Sequence, residues 1–256
     1  MKEVLKVTFV IIGTIIGAGF ASGQEIYLFF GKFGKLGLIS MFLSCAISGL
    51  IIYKTMNFIR KQDINTYEEF LNKLFKNKKR ILVKTIYIII TLFLGISFIV
   101  MCAGFGAYFS QELGLPNKIG CFIVCGLCIL TFRNKTNGIV KVNEIGIPIL
   151  IILIVLLGIA NRDGEIWQLK LPNFSVPIGR GILNSMLYSS FNSIVLIPIL
   201  IDLKNLVKSK KIVIGIALLC SSILAVLGFT ILNITCRNKW NRKYRNTITL
   251  CSRANQ

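Results

Sequence analysis

Apolar residues along this chain fall in long unbroken runs, and short polar segments separate them. Runs of about 20 residues are what roughly 30 Å of hydrocarbon requires of a helix. Continuous rather than alternating runs disfavour the strands of a membrane barrel. Seven spans are predicted, at about 4–30, 36–56, 81–108, 117–132, 139–160, 180–201 and 212–235. The expected fold is all-α, a polytopic transmembrane bundle over residues 1–235. The longest connection, 57–80, has a polar stretch, Asp63–Glu69, with room for a short surface helix. The 161–179 connection, with Trp167 and two prolines, suits an interfacial excursion.

The first span departs from an ordinary lipid-facing helix. Its centre holds Gly13, Gly17, Gly19 and Gly23 and ends in Ser22-Gly23-Gln24-Glu25. A helix broken at the midplane to bind a solute needs that composition, because glycine lets the backbone unwind and a ligand approach it. An inner half-helix over Val4–Ile12 and an outer one from Ser22 to Phe30 are expected. Ser22-x-x-Glu25 has the spacing of a capping box, which would start the outer half. That start would direct amides at the bilayer centre and favour an anionic group such as an amino-acid carboxylate. Carbonyls freed at the end of the inner half would suit Na⁺ or an ammonium group. Gly13-x3-Gly17 also fits a small-residue packing face in a continuous helix. Glu25 fits proton or cation coupling, an amine contact, or a capping role alone.

The sixth span has a polar centre too, Tyr188-Ser189-Ser190-Phe191-Asn192-Ser193, between apolar halves. It reads as a second break, or as hydroxyls and amides bonding back to their own helix or to a neighbour. Spans one and six run in opposite directions, so five spans per unit would make an inverted repeat.

Composition agrees with a membrane protein: 54% hydrophobic residues, mean hydropathy +0.73 and ten acidic residues among 256. The net charge of +20 suggests nucleic acid until its placement is considered. With the N-terminus inside, inner segments carry 18 Lys/Arg and outer loops six. That bias places the N-terminus in the cytoplasm. No nucleic-acid partner is expected; the bilayer and a small-molecule solute are. Most cysteines lie inside apolar runs, where they act as small hydrophobes. Cys121, Cys125 and Cys128 have the C-x3-C-x2-C spacing of an iron–sulfur triplet, yet sit in mid-span. Histidine is absent, and no nucleophile–base or metal constellation is visible. Neither an enzyme nor a cofactor is expected. A cleaved signal peptide also fits Lys2, Lys6 and the apolar run after them, but the glycine-rich stretch exceeds what cleavage needs.

The tail, 236–256, carries six Lys/Arg and no acid, and shows neither helical nor strand periodicity. It breaks the charge rule if the seventh span crosses. A basic tail outside, a seventh span that does not cross, and out-of-frame translation each fit.

The run Gly13-Thr14-Ile15-Ile16-Gly17-Ala18-Gly19-Phe20-Ala21-Ser22-Gly23-Gln24-Glu25-Ile26, followed by Phe29-Phe30, closely resembles the N-terminal signature of the YkvI-like bacterial membrane proteins. That family looks distantly similar to the amino acid–polyamine–cation and LeuT-type transporters. The resemblance extends through about residue 235. It implies a LeuT-like fold of two inverted five-helix repeats, with helices one and six broken around the substrate. By that analogy Gly17, Ala18, Gly19, Ser189, Ser190 and Asn192 bind substrate, and Thr14 and Glu25 are candidates for ion coupling. The family would have about ten spans where this chain has seven, so an incomplete bundle is expected. The implied function is alternating-access transport of a small amino acid or related amine, coupled to Na⁺ or H⁺. A non-transporting membrane receptor or a non-functional fragment are the alternatives.

Overall fold

The computed structural model describes residues 2–21, 23–76, 80–133, 135–160, 177–207 and 209–254. Within them the chain forms helices α1 (Lys2–Ile15), α2 (Ala18–Ala21), α3 (Gln24–Phe29), α4 (Gly34–Gln62), α5 (Tyr67–Leu74), α6 (Arg80–Leu113), α7 (Asn117–Phe132), α8 (Lys135–Ala160), α9 (Ile178–Asp202) and α10 (Lys210–Ala254). Single 3₁₀ turns follow α3 and α9, at Gly31–Phe33 and Lys204–Leu206. No strand occurs among the described residues.

Among the described residues, five stretches are long and apolar enough to cross a membrane: Gln24–Gln62, Arg80–Leu113, Thr136–Ala160, Ile178–Asp202 and Lys210–Thr235. The seven predicted spans differ from this at two places. Residues 117–132 form a helix of 16 residues, about 24 Å at 1.5 Å per residue and short of the hydrocarbon thickness. Residues 4–30 are divided among α1, α2 and α3, none of spanning length by itself. The Trp167 excursion lies outside the described residues. In the tail the helical backbone of α10 continues to Ala254. Residues 236–254 contain no Gly or Pro, so nothing in the chain interrupts the hydrogen-bond ladder even where apolar periodicity has stopped.

The buried core lies among α1, α4, α9 and α10. Val10, Ile11, Ile12, Ile52, Leu200, Ile216 and Leu227 are almost fully enclosed. Helices α6, α7 and α8 expose most of their apolar side chains, among them Ile96, Ile99, Phe122, Ile129 and Ile152. Such a surface would be unfavourable in water and is matched by lipid tails. The chain is thus an all-α, multi-pass membrane protein.

With no hydrophobic drive between helices in lipid, small residues let the backbones approach. A Cβ on Gly120 would lie 2.9 Å from the Gly106 Cα, which fixes the α6–α7 pair. Beside that contact Cys121 Sγ donates to the Cys102 carbonyl (3.3 Å) and Cys102 Sγ lies 3.9 Å from Cys125 Sγ. Gly228 of α10 gives room to Met41 Sδ of α4, and Gly49 of α4 to Ser221 of α10.

The polar stretch Asp63–Glu69 leads into α5, the short helix for which this connection had room. Thr66 caps α5, its hydroxyl accepting from the Glu69 amide (3.1 Å), while Glu69 Oε2 accepts from the Asn65 amide (2.9 Å). The two contacts are a capping box shifted by one residue on the return bond. Lys73 pairs with Glu69 (2.7 Å) and donates to the Gln62 carbonyl (2.6 Å). Lys204, beyond α9, reaches Asp63 (2.8 Å) and Asn65. Phe70 and Leu71 turn inward, with Phe70 edge-on to Phe58 at 5.7 Å. The Lys73 ammonium, and then the Asn65 amide, hold the Glu69 carboxyl below its usual range.

Candidate functional site: the interrupted first segment

Helix α1 ends where Gly17 leaves the helical ladder. The Ile16 amide still bonds four residues back to Ile12 (2.8 Å), but the Gly17 amide turns to the Ile15 carbonyl (3.0 Å). One turn, α2, follows. A second break falls at Gly23, which has φ 74 and ψ 1. That left-handed conformation favours glycine. The site demands glycine for a second reason: a Cβ there would strike Thr235 Oγ1 and come within 3.1 Å of Ile231 Cγ2 on α10. Gly23 is the N-cap residue of α3, with no side-chain cap. Ser22, the cap expected from the sequence, lies outside the described residues.

The predicted residues separate into groups. Gly13 is inside α1, and a Cβ on it would strike the Asn143 amide of α8 and approach Ile147 Cδ1 to 3.0 Å. It is a packing glycine, and the break begins four residues later, at Gly17. Thr14 Oγ1 donates back to the Val10 carbonyl (2.8 Å). Gly17 abuts Met101 of α6, whose Cε would lie 3.0 Å from a Cβ. Ala18 opens α2. Gly19 lies directly under Glu25, whose carboxylate occupies the space a side chain would need. The structure therefore brings Gly19 and Glu25 together across the second break.

Helix α9 corrects the expectation of a broken sixth span. It is continuous from Ile178 to Asp202 through its polar centre. The reason is that its polar side chains have partners that leave the ladder intact. Ser185 Oγ donates to the Ser40 carbonyl (2.7 Å) or its own Gly181 carbonyl (2.8 Å). Ser193 Oγ and Asn192 Nδ2 bond back to Ser189 (2.6 Å) and Tyr188 (3.0 Å). Ser189 is fully buried against α4, where it meets the Ser44 carbonyl and hydroxyl (both 3.0 Å) and the Ser48 hydroxyl (3.3 Å). Asn192 is buried, whereas Ser190 is exposed. The serines of α9 thus form a seam with α4.

The residue that faces the break from α9 is one the sequence shows only as part of its polar centre, not as a binding candidate. Tyr188 is 6% exposed, and its hydroxyl has no hydrogen-bond partner among the described residues. Leaving a buried hydroxyl unmade costs about 1–3 kcal/mol. Its ring is gripped edge-on by Phe29 (centroids 5.1 Å) and Phe30 (5.2 Å). Tyr188 borders a small pocket with Phe20 and Phe30 of the first segment, Ser44, Cys45 and Ser48 of α4 and Leu224 of α10. That space has room for about one water molecule. No spacing in the sequence distinguishes Tyr188 from the residues around it. Ser40, Ser44 and Ser48, repeating every fourth residue, were a readable sign that α4 has a polar partner.

A multi-pass helical membrane protein with an interrupted first segment is what these observations define. The chain is similar to two proteins of Bacillus subtilis (strain 168). It is 33% identical over 147 residues to the "Uncharacterized membrane protein YkvI", a match covering 57% of this chain and 42% of that protein. It is 29% identical over 169 residues to the "Uncharacterized protein YyaD", covering 65% and 48%. The chain thus spans less than half the length of the curated relatives it matches. These similarities support the YkvI-like resemblance. No family model and no solved structure matches the chain.

Proposed function

We propose that this chain belongs to a secondary transporter of the bacterial inner membrane, with its N-terminus cytoplasmic. The solute is a small amino acid or related amine, it binds at the break in the first segment, and its movement is coupled to Na⁺ or H⁺ by alternating access. The observation that carries this reading is the double interruption between α1 and α3, at Gly17 and Gly23, with the Glu25 carboxylate folded against Gly19. Non-helical backbone at membrane depth is tolerated where protein or a cavity surrounds it, and broken helices supply the solute and ion contacts of many transporters. The continuous α9 leaves the LeuT-type inverted repeat resting on analogy alone.

The test is uptake of labelled amino acids and amines into proteoliposomes holding the whole chain, with Na⁺ and pH gradients varied separately. Gradient-dependent uptake, lost in Gly19→Leu because the side chain displaces Glu25, is expected. Binding without uptake would replace the transporter with a receptor. Uptake unchanged in Gly19→Leu and Gly17→Leu would return the glycines to helix packing.

A further inference from the structure

The mid-span cysteines at 121, 125 and 128 have no part in the interrupted segment. Their helix, α7, follows α6 after the short connection 114–116 and packs back along it. Helix α6 holds a single cysteine, Cys102, so the register of the pair decides which α7 thiol it meets. The close approach of Gly106 and Gly120 fixes that register. Four residues back along α6 and five forward along α7, it brings Cys102 to Cys125, with the sulfurs 3.9 Å apart. Cys121, nearer the glycine contact, spends its hydrogen on the Cys102 carbonyl at 3.3 Å. Cys128 lies three residues beyond Cys125, and α6 has no second cysteine to set against it. Among the described residues, no three Cys, Asp or Glu side chains are arranged to hold a metal ion. The C-x3-C-x2-C spacing thus yields a thiol pair across two helices, not a metal cluster.

A disulfide holds its sulfurs about 2.05 Å apart. The Cys102 and Cys125 sulfurs therefore have about 1.9 Å to close, from 3.9 Å. Two side chains turning about their own Cα–Cβ bonds share that distance. Both are half-buried, so neither is sealed inside the bundle. Cys125 stands about 12 Å along α7 from Asn117, at 1.5 Å per residue. Among the exposed apolar side chains of α6 and α7, desolvation disfavours a charged oxidant and admits an uncharged one.

We propose that Cys102 and Cys125 form a reversible oxidation site, at which a small uncharged hydroperoxide closes a disulfide between α6 and α7. This does not depend on the solute-binding reading. One sulfur attacks the O–O bond and becomes a sulfenic acid, and its hydrogen leaves with the departing oxygen as an alcohol. The second sulfur displaces hydroxide from the sulfenic sulfur, and its hydrogen leaves with that hydroxide as water. The two sulfurs lose two electrons, and the peroxide oxygens gain them. A dithiol reductant restores the pair by exchange. The bond ties the hairpin about one turn deeper than the glycine contact does.

The experiment treats proteoliposomes holding the whole chain with tert-butyl hydroperoxide or, separately, with charged glutathione disulfide. Free thiols are then alkylated, and the protein is digested without reductant for mass spectrometry. A 102–125 linked peptide is expected with the hydroperoxide, and dithiothreitol should remove it. It should exceed every other cysteine pair by roughly tenfold, because groups held in contact react at high effective concentration. In chain denatured with dodecyl sulfate, the shorter loops 121–125 and 125–128 should dominate instead. The oxidised protein, extracted into detergent, should unfold at a higher temperature than the reduced one. Cys125→Ala should lose both the link and that rise. If Cys125→Ala does not fold, as judged by gel filtration, Cys102→Ala takes its place. A dominant link through Cys121 or Cys128, or sulfinic acid at Cys102 or Cys125 without a link, would overturn the proposal. So would equal linking by glutathione disulfide, a 102–125 preference that survives denaturation, or an unfolding temperature that does not rise.

Discussion

Replacing Gly23 by alanine perturbs the break through two separable effects. The residue has φ 74, and an L-residue held in the left-handed region costs about 1–2 kcal/mol. The new methyl would also press on Thr235 Oγ1 and lie 3.1 Å from Ile231 Cγ2. Forcing one extra methyl into a packed contact costs about 1–3 kcal/mol. Together the loss should be about 2–5 kcal/mol, the sum of those two ranges. A double-variant cycle separates them. Thr235→Ala in the Gly23→Ala background removes the main collision and should restore part of the loss, leaving the backbone cost of about 1–2 kcal/mol. Equilibrium unfolding in mixed micelles, followed by far-ultraviolet circular dichroism, measures each variant. Gly126→Ala is the control, since a Cβ there meets nothing within 4 Å. It should stabilise α7 by about 0.5–1 kcal/mol, the usual helix preference of alanine over glycine. The reasoning is refuted if Gly23→Ala changes stability by less than Gly126→Ala does. It is equally refuted if Thr235→Ala restores the full loss, because the backbone would then carry no strain.

Two further outcomes concern the surface turn. Thr66→Ala removes the hydroxyl that caps α5 and should cost about 0.5–2 kcal/mol, seen as faster hydrogen exchange over 66–74 with exchange in α1 unchanged. Glu69 has its carboxyl held low by Lys73 and Asn65, so its contribution is complete above its unfolded-state value and is lost as pH falls through the lower folded-state one. Exchange over 63–74 should therefore quicken as pH is lowered from about 4.5, after correction for intrinsic rates, and Glu69→Gln should remove that response. An unchanged pH response in Glu69→Gln would show that another group ties down the turn.

The interruption of the first segment was legible because only glycine and small polar residues meet its demands, and they stand together there. Its boundaries were less so. Gly13 looked like part of the break but supports the contact with Asn143, and both uses call for the same small residue. The capping box at 66–69, in Asn65-Thr66-Tyr67-Glu68-Glu69, was as readable as the one expected at Ser22. It lies outside the apolar runs, where a cap marks an ordinary surface helix rather than a break in a span. The polar centre of α9 was seen, but its fate depended on α4. Spacing along one helix shows where hydroxyls lie, and only the facing helix decides whether they are bonded. The water-sized space depends on Tyr188, and its surroundings are set only by the placement of α1, α2, α3, α4 and α10.

The α4–α9 seam has one more property. Its serines recur every fourth residue on both helices, at Ser40, Ser44 and Ser48 and at Ser185, Ser189 and Ser193. The two helices run parallel, since Ser185 meets Ser40 and Ser189 meets Ser44. Sliding one helix along the other by four residues, about 6 Å at 1.5 Å per residue, would hand Ser185 to Ser44 and Ser189 to Ser48. Such a seam would repeat its hydroxyl chemistry in a register shifted by four residues, so serine pairing alone does not set the register; the close approach of Gly181, where a Cβ would lie 2.5 Å from Ser40 Oγ, does.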